Sequence, residues 1–416
     1  MKFRKNGGEI MFFDLCIIGG GAAGLMAAIT AKEANAKLNV CIMERLDRVG
    51  KKIALTGNGR CNITNKNISA NNYYGKDSQF VVPVLSRFST ADTCAFFERL
   101  GVPVIFEGNK GYPRSLQAAS VVDALRFRAD ELGVSTLVNT RISAIKKQGD
   151  RYIVSTAEDN FKCRAVIVCA GLLSGGSKLG CDGEMLSVLK GLGLDCTAVS
   201  PAIVQVKTDT DFVRQLKGIK IDAEVSLIRN GTVLRREFGE TLFCDYGLSG
   251  PPILQLSGHA KKGDKIVLDL APEFDFSALI AMLSARAKTL KNRKNDEFLS
   301  GLLNKRLGQV VLKRTGVALS GNVSDITPSQ IKAVCGVIKG FECCYTDNNG
   351  FNNSQVTMGG ILTREFDGRT LMSKKYPGLF AAGELLDITG DCGGYNLQWA
   401  WSSGYTAALG AVEFLK

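Results

Sequence analysis

The residues whose types and spacing could do chemistry lie between Gly50 and Asn65, in the stretch GKKIALTGNGRCNITN. Gly57 and Gly59 flank Asn58, the cations Lys51, Lys52 and Arg60 stand around them, and hydroxyls and amides recur at almost every second position. No apolar period long enough for a buried helix or strand runs through the stretch, so it reads as a loop that grips something polar. Composition narrows the chemistry. His259 is the one histidine, which makes histidine-built zinc or iron centres and most Ser-His-Asp arrangements hard to assemble, and no metal is expected. His259 itself reads as an ordinary loop residue ahead of Lys261 and Lys262. The 13 cysteines are odd in number and follow no framework of spacings, which suits a reducing cytoplasm. Cys343 and Cys344 read as packing, and no C-x-x-C pair follows the first glycine motif, which argues against dithiol redox chemistry.

The element that must position the loop is FDLCIIGGGAAGLMAAITAKEANAKLNVCIMER: a strand, a glycine turn, a helix and a second strand. Its G-x-G-x-x-G falls on Gly19, Gly21 and Gly24, and Glu44 ends the next strand. Gly19 makes the tight turn, Gly21 lets the backbone approach a pyrophosphate at the helix N-terminus, and Gly24 lets helix and strand pack closely. Glu44 is placed to accept hydrogen bonds from a ribose, so the unit reads as a dinucleotide site.

Two more strands end in the same manner. YIVSTAEDNFKCRAVIVCAG reads as a hairpin and a buried strand ending at Ala170–Gly171, and GLFAAGELLD lies close to a glycine turn that opens a long apolar helix, GGYNLQWAWSSGYTAALGAVEFL. One nucleotide-binding fold is thus assembled from both ends of the chain: residues 1–195 and 346–416. Between them, 196–274 alternate as strands with a hairpin turn at Asn230–Gly231, and 275–345 read as helices, one opening at Thr327-Pro328-Ser329-Gln330. Apolar residues make up 45% and charged residues 22% of the 416, as in an ordinary globular protein, and no apolar run is long enough to span a membrane. Lys2, Arg4 and Lys5 before an apolar stretch imitate a secretory signal, but Asp14 interrupts that stretch and glycines follow it, so a buried strand is expected. The net charge of +12 favours anionic partners, although the basic run from Arg286 to Arg314 has the spacing of a solvated helix face.

The opening loop, TMGGI (Thr357–Ile361) and GLFAAGELLDITGDCGGYNLQWAWSSG (Gly378–Gly404) together resemble the YhiN/BaiN-type flavoproteins over essentially the whole chain. The resemblance implies an α/β, glutathione-reductase-type FAD-binding Rossmann fold with a β-rich and helical insert. Gly19, Gly21, Ala22, Ala23 and Gly24 would hold the pyrophosphate, Glu44 the adenosine ribose, and the backbone at Ile142 the adenine. Gly383 and Glu384 would contact the ribityl or phosphate portion, and Gly171 and Asp387 would also belong to the cofactor site. Gly393, Gly394, Tyr395, Asn396 and Leu397 would bring a helix N-terminus to the flavin's pyrimidine edge, where charge accumulates on reduction. The opening loop would then run along the flavin. Gly57 and Gly59 would allow close approach, Thr56 and Asn62 would supply hydrogen bonds, and Lys51, Lys52 or Arg60 would offset phosphate charge.

Members of this family are associated with reduction of conjugated C=C bonds in 3-oxo bile-acid intermediates and with oxidation of aminoacetone-like amines. The first is the expectation here, with NADH or NADPH visiting the flavin transiently, because no second glycine fingerprint is present. The donors that polarise the 3-oxo group and protonate the α-carbon are sought in NKGYPRS, where Tyr112 and Arg114 rank first, and in Tyr395. GLSGPPILQLSG (Gly247–Gly258) could wall an apolar pocket or belong to the insert's own core. The expected substrate is a small apolar molecule with an anionic tail. A tRNA-modifying flavoprotein is the other alternative, disfavoured because the basic run lacks interleaved aromatics for base stacking.

Overall fold

The computed structural model describes residues 11–416; the cations Lys2, Arg4 and Lys5 lie outside them. The described chain divides into two compact units, residues 11–201 with 351–416 and residues 202–350.

The first unit is built on a seven-stranded sheet. Strand β1 (Phe12–Ile18) lies at its centre, parallel to β2 (Val40–Met43) on one side and to Asn160–Val168 on the other. Ser135–Leu137 extends the sheet beyond β2. Asn160–Val168 changes partner along its length: its first half pairs antiparallel with Arg151–Ser155, and Val166–Val168 pair parallel with Leu379–Ala381. The parallel strands at the sheet's centre are apolar and buried throughout at Leu15–Ile18, Val40–Met43, Ala165–Val168 and Leu379–Ala381, and α1 (Ala22–Ala34) and the C-terminal helix (Tyr395–Phe414) pack against them. Ile18 stands beside Met43 and Val168, and Val168 beside Ala381, so the strands end in register. Gly19, Glu44, Cys169 and Ala382 therefore follow at a common edge, the edge where open α/β sheets bind ligands. The glutathione-reductase-type fold assembled from both ends of the chain is what the structure has.

The second unit is a closed antiparallel barrel of Val206–Thr208, Gly247–Ser249, Thr232–Phe243, Lys220–Arg229, Lys265–Asp269 and Phe341–Asn348. Asn230 and Gly231 both take positive φ in the hairpin turn between its two longest strands. Helices Phe276–Thr289, Lys305–Arg314 and Pro328–Lys339 share one apolar core with the barrel, and Phe341–Asn348, which follows them, closes it. Strands and helices are thus one body, with no division at residue 274. Thr327 caps the last of these helices reciprocally with Gln330. Within GLSGPPILQLSG, Pro251–Ser257 is a helix whose Ile253 and Leu256 are buried in this same core. The basic run is largely structural: Arg286 donates to the carbonyls of Phe298 and Ser300, Arg293 and Lys305 pair with Glu297 and Asp296, and Arg314 stacks over Phe341. Cys343 is buried and Cys344 exposed on alternate faces of the closing strand. Among the described residues no helix is long and apolar enough to cross a membrane.

Candidate functional site

The glycine turn separates what the protein needs from what a ligand needs. A Cβ on Gly24 would lie 1.9 Å from the Gly19 carbonyl oxygen, and one on Gly19 would lie 2.7 Å from the Cys169 carbonyl oxygen. Those two glycines are demanded by helix–strand packing. A Cβ on Gly21 would meet nothing within 4 Å. Gly21 is the N-cap of α1 and supplies no side-chain cap, and no acid sits in the first turn, so this helix end presents backbone N–H groups and positive partial charge to open space. At the end of β2 the Glu44 carboxylate accepts from the N–H of Gly20 at 2.8 Å and of Leu46 at 2.8 Å. The Glu44 carbonyl takes the N–H of Thr140, which brings the segment carrying buried Ile142 alongside.

The Gly50–Asn65 stretch is more ordered than a loop. Lys51–Leu55 form a short helix, α2, followed by a turn in which Gly57, Asn58 and Gly59 all take positive φ. The three cations expected to offset phosphate charge have carboxylate partners: Lys51 with Asp47, Lys52 with Glu384 at 2.5 Å, and Arg60 with Glu107. The Thr56 hydroxyl donates to the Ile53 carbonyl, so it caps α2. The Asn62 Oδ1 is buried without a hydrogen-bond partner. Burial pushes the Cys61 thiol up to about 12, with only partial relief from Thr56.

The C-terminal segment meets these elements from the other side. The Glu384 carboxylate takes the Lys52 ammonium and the N–H of Thr357 at 2.7 Å, and it lies 3.7 Å from the Cβ position of Gly171. Burial, the largest influence, would lower the Lys52 pKa, but the charge and hydrogen bond of Glu384 together with the neighbouring Cys181 more than offset it and raise it. The Asp387 carboxylate is occupied by the N–H of Lys76, so it holds a neighbouring loop. Gly394 caps the C-terminal helix in a left-handed conformation, again with no side-chain cap and no acid in the first turn. The Asn396 side chain spans the turn before it, bonding Gly390 and Asp391. Tyr395 is buried edge-to-face with Tyr73, whose hydroxyl donates to the Tyr395 carbonyl.

On the expected substrate side, strands Val104–Glu107 and Lys110–Pro113 form a hairpin. Tyr112 is buried with its ring 3.8 Å from the Cβ position of Gly57, and the Cε of Lys110 is 3.2 Å from that of Gly393. The strand's alternation therefore aims Lys110 and Tyr112 together between the two glycine turns. Arg114 lies past the strand end and is exposed.

One set of positioning residues went unread in the sequence. Gln398 is fully buried in the C-terminal helix; its Oε1 accepts from Thr64 and Thr93, and its Nε2 donates to the Phe88 carbonyl and Ser402. The indoles of Trp399 and Trp401 donate to the carbonyls of Gly383 and Ile63. These bonds fix both ligand-facing segments to one helix. The available signal was a glutamine and two indoles placed inside an otherwise apolar helix, groups that must find partners when buried.

A family model described as the HI0933-like protein Rossmann domain matches residues 13–410. The chain is 35% identical over 404 residues to the 3-dehydro-bile acid delta(4,6)-reductase of Clostridium scindens, covering 95% of this chain and 98% of that protein. It is 28% identical over 402 residues to the ribosomal RNA dihydrouridine synthase of Haemophilus influenzae, covering 94% and 97%. Among solved structures it resembles the 3-ketosteroid delta1-dehydrogenase of Sterolibacterium denitrificans, with a TM-score of 0.51 at 13% identity over 97% of this chain and 99% of that one, a likeness of fold.

Proposed function

The chain belongs to the HI0933-like family, and from that premise we propose that it is an FAD-dependent reductase of C=C bonds conjugated to a carbonyl. Its substrate on this reading is a 3-oxo-Δ4 or Δ4,6 steroid or bile-acid intermediate, and NADH or NADPH is the electron source. The observation that carries the substrate class is the identity of 35% to the bile-acid reductase over nearly the full length of both chains.

The donor set suits FAD. Open space before Gly21, two uncapped helix N-termini and the orphaned Asn62 oxygen are features that a bound dinucleotide would complete. Bound there, FAD would supply two-electron hydride chemistry. The N–H groups of Gly21, Ala22, Ala23 and Gly24 would hold its pyrophosphate, and Glu44 its ribose. The N-terminus of the C-terminal helix would face its pyrimidine edge. Tyr112 is the proton donor in this reading: burial raises its pKa, only partly offset by Arg60, so the phenol stays protonated and able to donate at neutral pH.

A second reading rests on the dihydrouridine synthase relative and the net charge of +12, which suits a polyanion. Uridine C5=C6 is conjugated to the C4 carbonyl, so both substrates need the same three events: hydride to the β-carbon, charge on the carbonyl oxygen, and a proton to the α-carbon. The test is anaerobic stopped-flow absorbance. Enzyme reduced by NADH or NADPH is mixed separately with a 3-oxo-Δ4,6 steroid, ribosomal RNA lacking dihydrouridine, aminoacetone and air. Rapid reoxidation by the steroid supports the first reading, and by the RNA alone the second. Flavin that nicotinamide leaves oxidised but aminoacetone bleaches would make the protein an amine oxidase and overturn both.

A further inference from the structure

We propose that Arg60 is a catalytic residue whose guanidinium stabilises the enolate oxygen formed on the substrate carbonyl. The inference rests on the reading above and assigns a role to a side chain that the sequence offered only as a counter-charge for phosphate.

Arg60 is held on two sides and unspent on a third. One Nη pairs with the Glu107 carboxylate, and the guanidinium carbon lies 4.4 Å from the centre of the Tyr112 ring. Its Nε is buried and has no hydrogen-bond partner. A buried unpartnered N–H is costly, and such groups in native structures gather where a ligand completes them. Arg60 directly follows the turn of Gly57–Gly59, and its stacking partner Tyr112 abuts Gly57. Tyr112 shares a strand face with Lys110, which touches Gly393 at the head of the C-terminal helix. The guanidinium thus stands where both flavin-facing turns meet the hairpin bearing the candidate acid.

The chemistry balances with these groups. Reduced nicotinamide supplies two electrons and a hydrogen, passed on as hydride to the β-carbon of the enone. The C=C π pair moves to join the α-carbon to the carbonyl carbon, and the carbonyl oxygen becomes an enolate. A fixed guanidinium beside that oxygen stabilises the charge as it develops and costs no reorganisation. A proton from the Tyr112 hydroxyl then reaches the α-carbon as the carbonyl reforms, and solvent returns a proton to the phenolate. Ion pairing with Glu107 fixes the planar fork, a geometry that an ammonium cannot reproduce.

The test uses flavin-loaded protein and para-substituted phenols, whose phenolate forms mimic the enolate and give a long-wavelength charge-transfer band when stacked on oxidised flavin. Wild type is expected to bind the phenolate form and to depress the bound phenol's apparent pKa. Arg60→Gln should weaken phenolate binding at least tenfold, remove that depression and slow enone-driven reoxidation by about 10²–10³-fold, with flavin content unchanged. Arg60→Lys should recover only part of each. If wild type neither binds phenolates nor is reoxidised by an enone, the reductase reading fails. If wild type does both and Arg60→Gln does them equally well, the role of Arg60 is overturned and the reading stands. Loss of flavin from both variants would make Arg60 a cofactor-holding residue and would also overturn the proposal.

Discussion

Two alanine substitutions three residues apart, at Gly21 and Gly24, should separate folding from binding in the first glycine motif. In Gly24→Ala the new Cβ would sit 1.9 Å from the Gly19 carbonyl oxygen, a backbone atom that can yield only if helix α1 moves off the sheet. Overpacking of this kind costs about 3 kcal/mol, and a unit of this size loses about 2–4 °C per kcal/mol, so the apoprotein's Tm should fall by about 6–12 °C. In Gly21→Ala the Cβ meets nothing of the protein within 4 Å, and φ of −83° is ordinary for alanine. Only the weaker N-cap preference of alanine is lost, about 0.5–1 kcal/mol, so the apoprotein should melt within about 4 °C of wild type. FAD should tell the opposite story. At a ligand concentration of about 100 Kd the wild type gains about 2.7 kcal/mol. A Kd weakened about 100-fold by the methyl group in the pyrophosphate's space leaves about 0.4 kcal/mol of that. Thermal unfolding with and without FAD, together with flavin absorbance of the purified proteins, reads both quantities. A yellow Gly21→Ala protein with the wild-type FAD-induced rise in Tm would refute the assignment of that open space to the cofactor. A Gly24→Ala protein as stable as wild type would refute the packing argument.

Other consequences follow from groups outside that turn. Gln398→Leu should leave the buried Thr64 hydroxyl without its 2.5 Å acceptor, while Thr93 keeps the Ser89 carbonyl and the Phe88 carbonyl keeps the Ser402 hydroxyl, destabilising the protein by about 1–3 kcal/mol; denaturant unfolding that shows less than about 0.5 kcal/mol would mean the network relaxes or is hydrated. At pH 8 a thiol pushed up to about 12 is about 10⁻⁴ ionised, so iodoacetamide should leave Cys61 intact while exposed Cys344 is alkylated, as peptide mass mapping would show. In the barrel unit, burial alone would raise the Asp264 pKa, but the Arg229 guanidinium and the Lys261 N–H outweigh it and hold it below the usual carboxylate value. Its stabilisation is therefore present above about pH 4 and is lost as pH falls through the depressed folded value. Asp264→Asn should cost about 1–3 kcal/mol at pH 7 and progressively less in acid; a pH-independent difference would show that packing and not charge is responsible.

How far the sequence carried depended on whether a residue's constraint was local. The glycine fingerprint, the acid after β2 and the Asn230–Gly231 turn are constraints of a few adjacent residues, and each was readable because backbone geometry admits few alternatives. The two-ended assembly was legible for a related reason: strands buried on both faces must be apolar throughout, so Val166–Val168 and Leu379–Ala381 announced themselves although more than two hundred residues separate them. Charge partners were not legible where they came from elsewhere in the chain. Glu384 beside Lys52, and Glu107 and Tyr112 beside Arg60, could not be foreseen, because no local pattern encodes which carboxylate a long, flexible side chain will find. The same blindness hid the most informative atom of Arg60. A cation's charge is visible in the sequence, but an N–H left without a partner is visible only once every neighbour has been counted, and it is that residue of unmet hydrogen bonding, more than the charge, that marks where a substrate's oxygen would be received.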